Sequence, residues 1–255
     1  ATVIAWAISI FFLFYHLVYR LKFITFIPPV KVDFINSAKD MLKIGVPAAG
    51  ANMMTPLATG IMTGIAAGFG NEAVSALGVG ARLEPLATLI ILAMSSSLPP
   101  IVSQNFGAGE FERIESVYKL ALRFIVGWQL LVYIALFFAA APIAGIFSDD
   151  QNVRNTIVLY LSILPLAYGF QGIIILTNSS LNAIHRPMTA LYLSVARFFL
   201  FYVPFAFIGS QLYGIQGFFI GAASANFCMA AISLRTFQKV FQTESKISAS
   251  SKTNP

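Results

Sequence analysis

Seven long stretches almost free of charge decide what this chain can become. Residues 1–19, 44–71, 124–148, 155–184 and 213–234 contain no Asp, Glu, Lys or Arg. Two further stretches are broken only by Arg82 and Glu84 (74–103) and by Arg197 (188–208). A helix needs around 20 mostly apolar residues to cross about 30 Å of hydrocarbon, and each stretch meets or approaches that length. Soluble domains carry about a quarter charged residues; here 10% are charged and 58% apolar, so lipid is the solvent. Open sheet edges do not survive in hydrocarbon, and barrel strands alternate over about ten residues. The expectation is an all-α integral membrane protein of seven spans, with a short turn at Gly209-Ser210-Gln211-Leu212 between the last two.

Thirteen of the 16 basic residues fall on one side of these spans, including Lys22, Lys39, Arg113, Lys119, Arg186 and Lys239. The opposite loops hold only Arg154, beside Glu72, Asp149 and Asp150. The positive-inside rule makes the basic side, and with it the C-terminus, cytoplasmic. This bias accounts for the net charge of +6, and nucleic acid is not an expected partner. The partners expected are the bilayer and a small organic substrate. The single cysteine, Cys228, permits no intrachain disulfide. His16 and His185 lack metal-ligand spacing, and Gly107-Ala108-Gly109 is not followed by a phosphate-loop pattern. The chain is therefore not expected to be an enzyme, and no metal or cofactor is expected.

Polar groups inside the spans are costly and need individual reasons. Asn52, Thr55, Thr59 and Thr63 follow at +3, +4 and +4, one face of a helix. Pro47 and Pro56 lie in the same span and favour a bend. The stripe is read as a cavity wall, the alternative being threonines bonded back to their own helix. Gln171 and Asn178, with Asn182, share a face of the 155–184 span; Tyr168 stands one turn before Gln171, and Pro165 should bend the helix just upstream. These amides serve either a ligand or inter-helix bonding. Glu84 and Arg197 are the remaining site candidates, as separate contacts or as an ion pair within the bundle. Gly60, Gly64 and Gly68, and later Gly217, Gly221 and Ala225, read as close-packing faces.

Several segments resemble the multidrug and toxic compound extrusion (MATE) family. Leu42-Lys43-Ile44-Gly45-Val46-Pro47 is similar to the opening of its seventh helix. Gly78-Val79-Gly80-Ala81-Arg82-Leu83-Glu84 resembles the eighth, in the manner of the bacterial DNA-damage-inducible branch. Gln104-Asn105-Phe106-Gly107-Ala108-Gly109 resembles the loop that follows, and Asn182-Ala183-Ile184-His185-Arg186-Pro187 the turn before the eleventh. The resemblance implies a transporter of two six-helix lobes, exporting organic cations, drugs or toxic metabolites in antiport with protons or sodium by alternating access. Residues 1–19 would end the last helix of a missing N-terminal lobe. Residues 20–40 would form a cytoplasmic inter-lobe loop, 41–242 the C-terminal six-helix lobe and 243–255 a disordered cytoplasmic tail. Some members carry an acid near Thr55 and an aspartate in the tenth helix; this chain has neither. In the branch resembled, coupling is attributed to an aspartate of the first helix, which leaves Glu84 as the only acid within a span here. The expected location is the cell inner membrane. A lipid-linked oligosaccharide flippase of related architecture and a non-transporting membrane scaffold are the alternatives.

Overall fold

The computed structural model describes residues 2–20 and 31–253. Residues 21–30 of the expected inter-lobe loop, and the last two residues of the expected tail, lie outside them. Every regular element among the described residues is helical. The chain divides into two units, Ala1–Lys43 and Ile44–Pro255. The first holds α1 (Thr2–Tyr15), a π-helical turn (His16–Arg20) and the start of α2 (Lys31–Ala67). Helix therefore begins at Lys31, inside the segment expected to be loop. Charges spaced like Lys39, Asp40 and Lys43 suit a solvated helix face as well as a loop.

The second unit contains the rest of α2 with α3 (Asn71–Ala87), α4 (Leu89–Ala108), α5 (Phe111–Phe147), α6 (Gln151–Ile163), α7 (Tyr168–Ala183), α8 (Pro187–Val195) and α9 (Val203–Thr253). Four stretches among the described residues are long and apolar enough to cross a membrane: Leu89–Ala108, Phe111–Phe147, Gln151–Ala183 and Pro187–Lys246. The last makes two passes, because α9 reverses at Tyr213 and Gly214, where φ of Gly214 is +60°. The turn thus falls just after the expected Gly209–Leu212 segment. Gly209 is inside a helix, where its backbone packs on Gly217, as Phe205 does on Gly221. The 44–71 stretch is helical to Ala67 but is diluted below span hydropathy by Asn52, its threonines and its glycines. The 74–103 stretch is two helices, interrupted at Thr88 (φ −98°, ψ 6°). Large apolar side chains cover the outside, with Phe138 78% exposed, as a lipid-facing surface requires.

Helix ends follow local chemistry. Gly109, in the left-handed conformation at φ 72°, closes α4 while Glu110 N–H donates to the Asn105 carbonyl at 2.9 Å. This is the glycine C-cap, and it explains the Gly107–Gly109 turn. Asp150 caps α6 by accepting from Asn152 N–H at 2.7 Å. In the expected tail, α9 continues to Thr253, and Glu244 pairs with Arg186, 58 residues earlier in the chain.

The core lies in two clusters. One gathers Ile91, Ile125, Ile174, Leu181 and Met229 from α4, α5, α7 and α9. The other gathers Ala73, Ala144, Leu161 and Phe218 from α3, α5, α6 and α9. Both α5 and the second arm of α9 run through both clusters without a break. Between the clusters α3 gives way to α4, and α6 to α7 through a 3-10 turn at Leu164–Ala167. In the first cluster Tyr118 stacks on Phe237 at 4.1 Å and shares a 2.7 Å hydrogen bond with Thr177. Tyr118→Phe should lower unfolding stability by about 1 kcal/mol, the scale of inter-helix hydrogen bonds in membrane proteins. Thermal unfolding in detergent reads this out, and an unchanged transition temperature would show that the hydroxyl contributes nothing.

Candidate functional site

A cavity of about 230 Å³ opens at the seam between the two core clusters. Five of the expected residues line it: Thr59 and Thr63 from α2, Glu84 from α3, Tyr168 and Gln171 from α7. The two threonines of the stripe that line the cavity also bond back to their own helix. Thr59 Oγ1 donates to the Thr55 carbonyl at 3.0 Å and Thr63 Oγ1 to the Thr59 carbonyl at 2.9 Å. With their protons used inside the helix, these hydroxyls offer lone pairs and methyl groups to the cavity.

Pro165 stands at the start of the 3-10 turn, and α7 begins directly after it. The break ends α6 with Tyr160 facing the cavity and restarts the helix with Tyr168 on its first position. One turn on, Gln171 Nε2 donates to Glu84 Oε1 at 2.8 Å, joining the two walls. Glu84 is half-buried, whereas Arg82, two residues earlier, is exposed. Tyr160 fits because Gly80 has no side chain: a Cβ there would overlap the tyrosine ring.

Asn52 and Thr55 are exposed, and the cavity wall begins one helical turn later. Asn178 does not reach the cavity either; its Nδ2 donates to Ser194 Oγ at 3.1 Å, bonding α7 to α8. Arg197 stands behind the wall. Its Nε donates to Asn226 Oδ1 at 3.2 Å, and its guanidinium lies 4.9 Å from the Phe198 ring centre. Among the described residues it makes no ion pair with Glu84, whose side chain bonds Gln171 instead. Asn226 is buried and lines the cavity, holding Arg197 to it.

Three lining residues with polar side chains have no counterpart among the expected ones: Tyr160, Tyr202 and Asn226. Tyr202 is placed by a π-helical turn at Ala196–Tyr202. Bonds from i to i+5 set residues five apart one above the other, so Arg197 and Tyr202 share a face they would not share in an α-helix. Asn226 was visible as a lone amide in an apolar run; Tyr160 and Tyr202 were hidden among apolar neighbours.

The MatE family model matches residues 47–208, more than half of the chain. The chain belongs to the MatE family. It is 39% identical over 186 residues to the FAD transporter of Shewanella oneidensis, covering 73% of this chain and 41% of that one. It is 23% identical over 213 residues to the multidrug export protein MepA of Staphylococcus saprophyticus, covering 82% and 46%. Among solved structures, the bent form of the Vibrio cholerae MATE transporter VcmN matches with TM-score 0.79 at 33% identity, over 82% of this chain and 48% of that one. An outward-facing multidrug resistance MATE transporter, at 20% identity, shares the fold with TM-score 0.86. The MatE chain described here thus spans about half the length of the relatives it matches. It is a multi-pass membrane protein of a family of transporters, and the all-α architecture expected from its charge-free stretches is that of MATE structures.

Proposed function

We propose that this chain is the C-terminal lobe of a secondary transporter that exports small organic molecules in antiport with protons or sodium. One observation carries the reading: the lining of the cavity contains a single carboxylate, Glu84, clasped by Gln171 and surrounded by tyrosines. An organic cation finds there a counter-charge and aromatic faces, and the same carboxylate can take a coupling ion. Alternating access would move this lobe against a second one. The basic loops support a cytoplasmic C-terminus, and the membrane of the proposal is the cell inner membrane. Membership of the DNA-damage-inducible branch, with a second coupling acid outside these residues, belongs to the same proposal.

A second substrate class is favoured by a specific observation. The relative at 39% identity is an FAD transporter, and Tyr160, Tyr168 and Tyr202 in the lining offer aromatic faces on which a flavin ring can stack. The complete transporter in liposomes, under an imposed proton or sodium gradient, separates the two. Uptake of a fluorescent organic cation supports the first class and uptake of FAD the second. Movement of neither under any gradient would end the antiporter reading.

A further inference from the structure

Gln129 of α5 is 2% exposed and plays no part in the cavity lining. Its Nε2 donates to the Ala87 carbonyl at 3.0 Å, at the interruption between α3 and α4. One turn later on the same face of α5, the Tyr133 hydroxyl donates to the Ser162 carbonyl at 3.2 Å, where α6 gives way to the 3-10 turn. Two broken helices are thus met at their breaks by neighbouring side chains of one unbroken helix.

Position within α5 strengthens the connection. Gln129 falls midway along Phe111–Phe147, between Ile125 of one core cluster and Ala140 of the other. Hydrocarbon offers no donor to a carbonyl at a helix break within a span, and these two side chains supply one at each break. Thr88 closes the other side of the first break, its Oγ1 donating to the Glu84 carbonyl at 2.7 Å. The break that Gln129 braces is therefore one turn from the Glu84 side chain, and the break that Tyr133 braces is six residues from Tyr168. Gln129 Oε1 has no partner among the described residues, so the donor is the part of the amide that bonds across the break.

We infer that Gln129 and Tyr133 are positioning residues, which clamp the two interrupted helices at the seam and so set the separation of Glu84 from Tyr168 and Gln171. The inference rests on the cavity being the transport site proposed above, but its first readout does not need transport. In the complete transporter with Cys228→Ala, spin labels at Leu86 and Leu166, both exposed, report the distance between the two breaks. Gln129→Met and Tyr133→Phe should each broaden and shift that distribution. Each should also raise KM for the transported compound about threefold per bond lost, with the turnover of folded protein retained. Distributions that superimpose on the unsubstituted protein would overturn the inference, as would a lower unfolding temperature with unchanged KM and distances. If the unsubstituted transporter moves nothing, the proposed function falls, and the distances still decide the clamp. Should Gln129→Met fail to fold, Tyr133→Phe, which removes one hydroxyl, gives the answer.

Discussion

Gly217→Val should leave almost no folded protein. A Cβ at Gly217 would run into the Gly209 carbonyl, and one at Gly221 into the Phe205 carbonyl. The obstacle in each case is backbone of the opposite arm, which cannot rotate aside as a side chain would. Overpacking a core costs about 1–3 kcal/mol where neighbours can adjust; here two helices must part along the hairpin, and the cost should reach the upper end or beyond. Gly214→Ala provides the contrast. Gly214 meets nothing within 4 Å but sits at φ +60°, ψ −142°, a backbone region that only glycine enters readily, so Ala there should lose only the backbone strain, about 1–3 kcal/mol. Gly60→Ala and Gly64→Ala, which meet nothing within 4 Å, should be close to neutral. Size-exclusion profiles and thermal unfolding in detergent rank the four. A Gly217→Val protein as stable as Gly64→Ala would mean that the two arms do not pack as described.

Glu84→Gln should cut coupled transport roughly tenfold to a hundredfold while the protein stays folded. The new amide oxygen can still accept from Gln171 Nε2, so the two cavity walls remain joined and only the charge is lost. A hydrogen bond to a charged group contributes about 1.5–3 kcal/mol, which corresponds to a loss of roughly tenfold to a hundredfold in the step that uses it. Gln171→Leu should fall at the lower end, because the carboxylate survives without its donor. Gradient-driven uptake in liposomes measures both. Unaltered uptake by Glu84→Gln would remove the carboxylate from the coupling mechanism.

The membrane class was legible because charge is absent from such long stretches, and no packing detail can reverse that. Thr59, Thr63, Glu84, Tyr168 and Gln171 were legible for a related reason: a polar group in an apolar run needs a partner, and helical spacing says which of them share a face. The same rule admitted Asn52, Thr55 and Asn178, because periodicity gives the face of a helix but not how far along it a cavity extends. Tyr160 escaped it because a tyrosine in an apolar run looks like packing. Gln129 and Asn226 carried the signal, but a lone amide has no spacing to weigh. Boundaries failed where one residue type serves two purposes. Lys39 and Asp40 fell in the expected loop yet lie on a helix, and Gly209 marked a turn yet permits a close crossing. Of the two glycine triplets, only the second packs, since Gly217 and Gly221 meet backbone while Gly60 and Gly64 meet nothing in this chain.

The π-helical turn at Ala196–Tyr202 has a consequence for descent. Such a turn fits one more residue into the space of an α-helical one, as a single-codon insertion in an unbroken helix would. Loss of one codon in that segment would restore the ordinary ladder and leave the helix as long as a bilayer requires. It would also rotate Tyr202 away from Arg197 and remove an aromatic face from the cavity. Relatives that differ by one residue in this segment would therefore share this fold while presenting a different wall to their cargo.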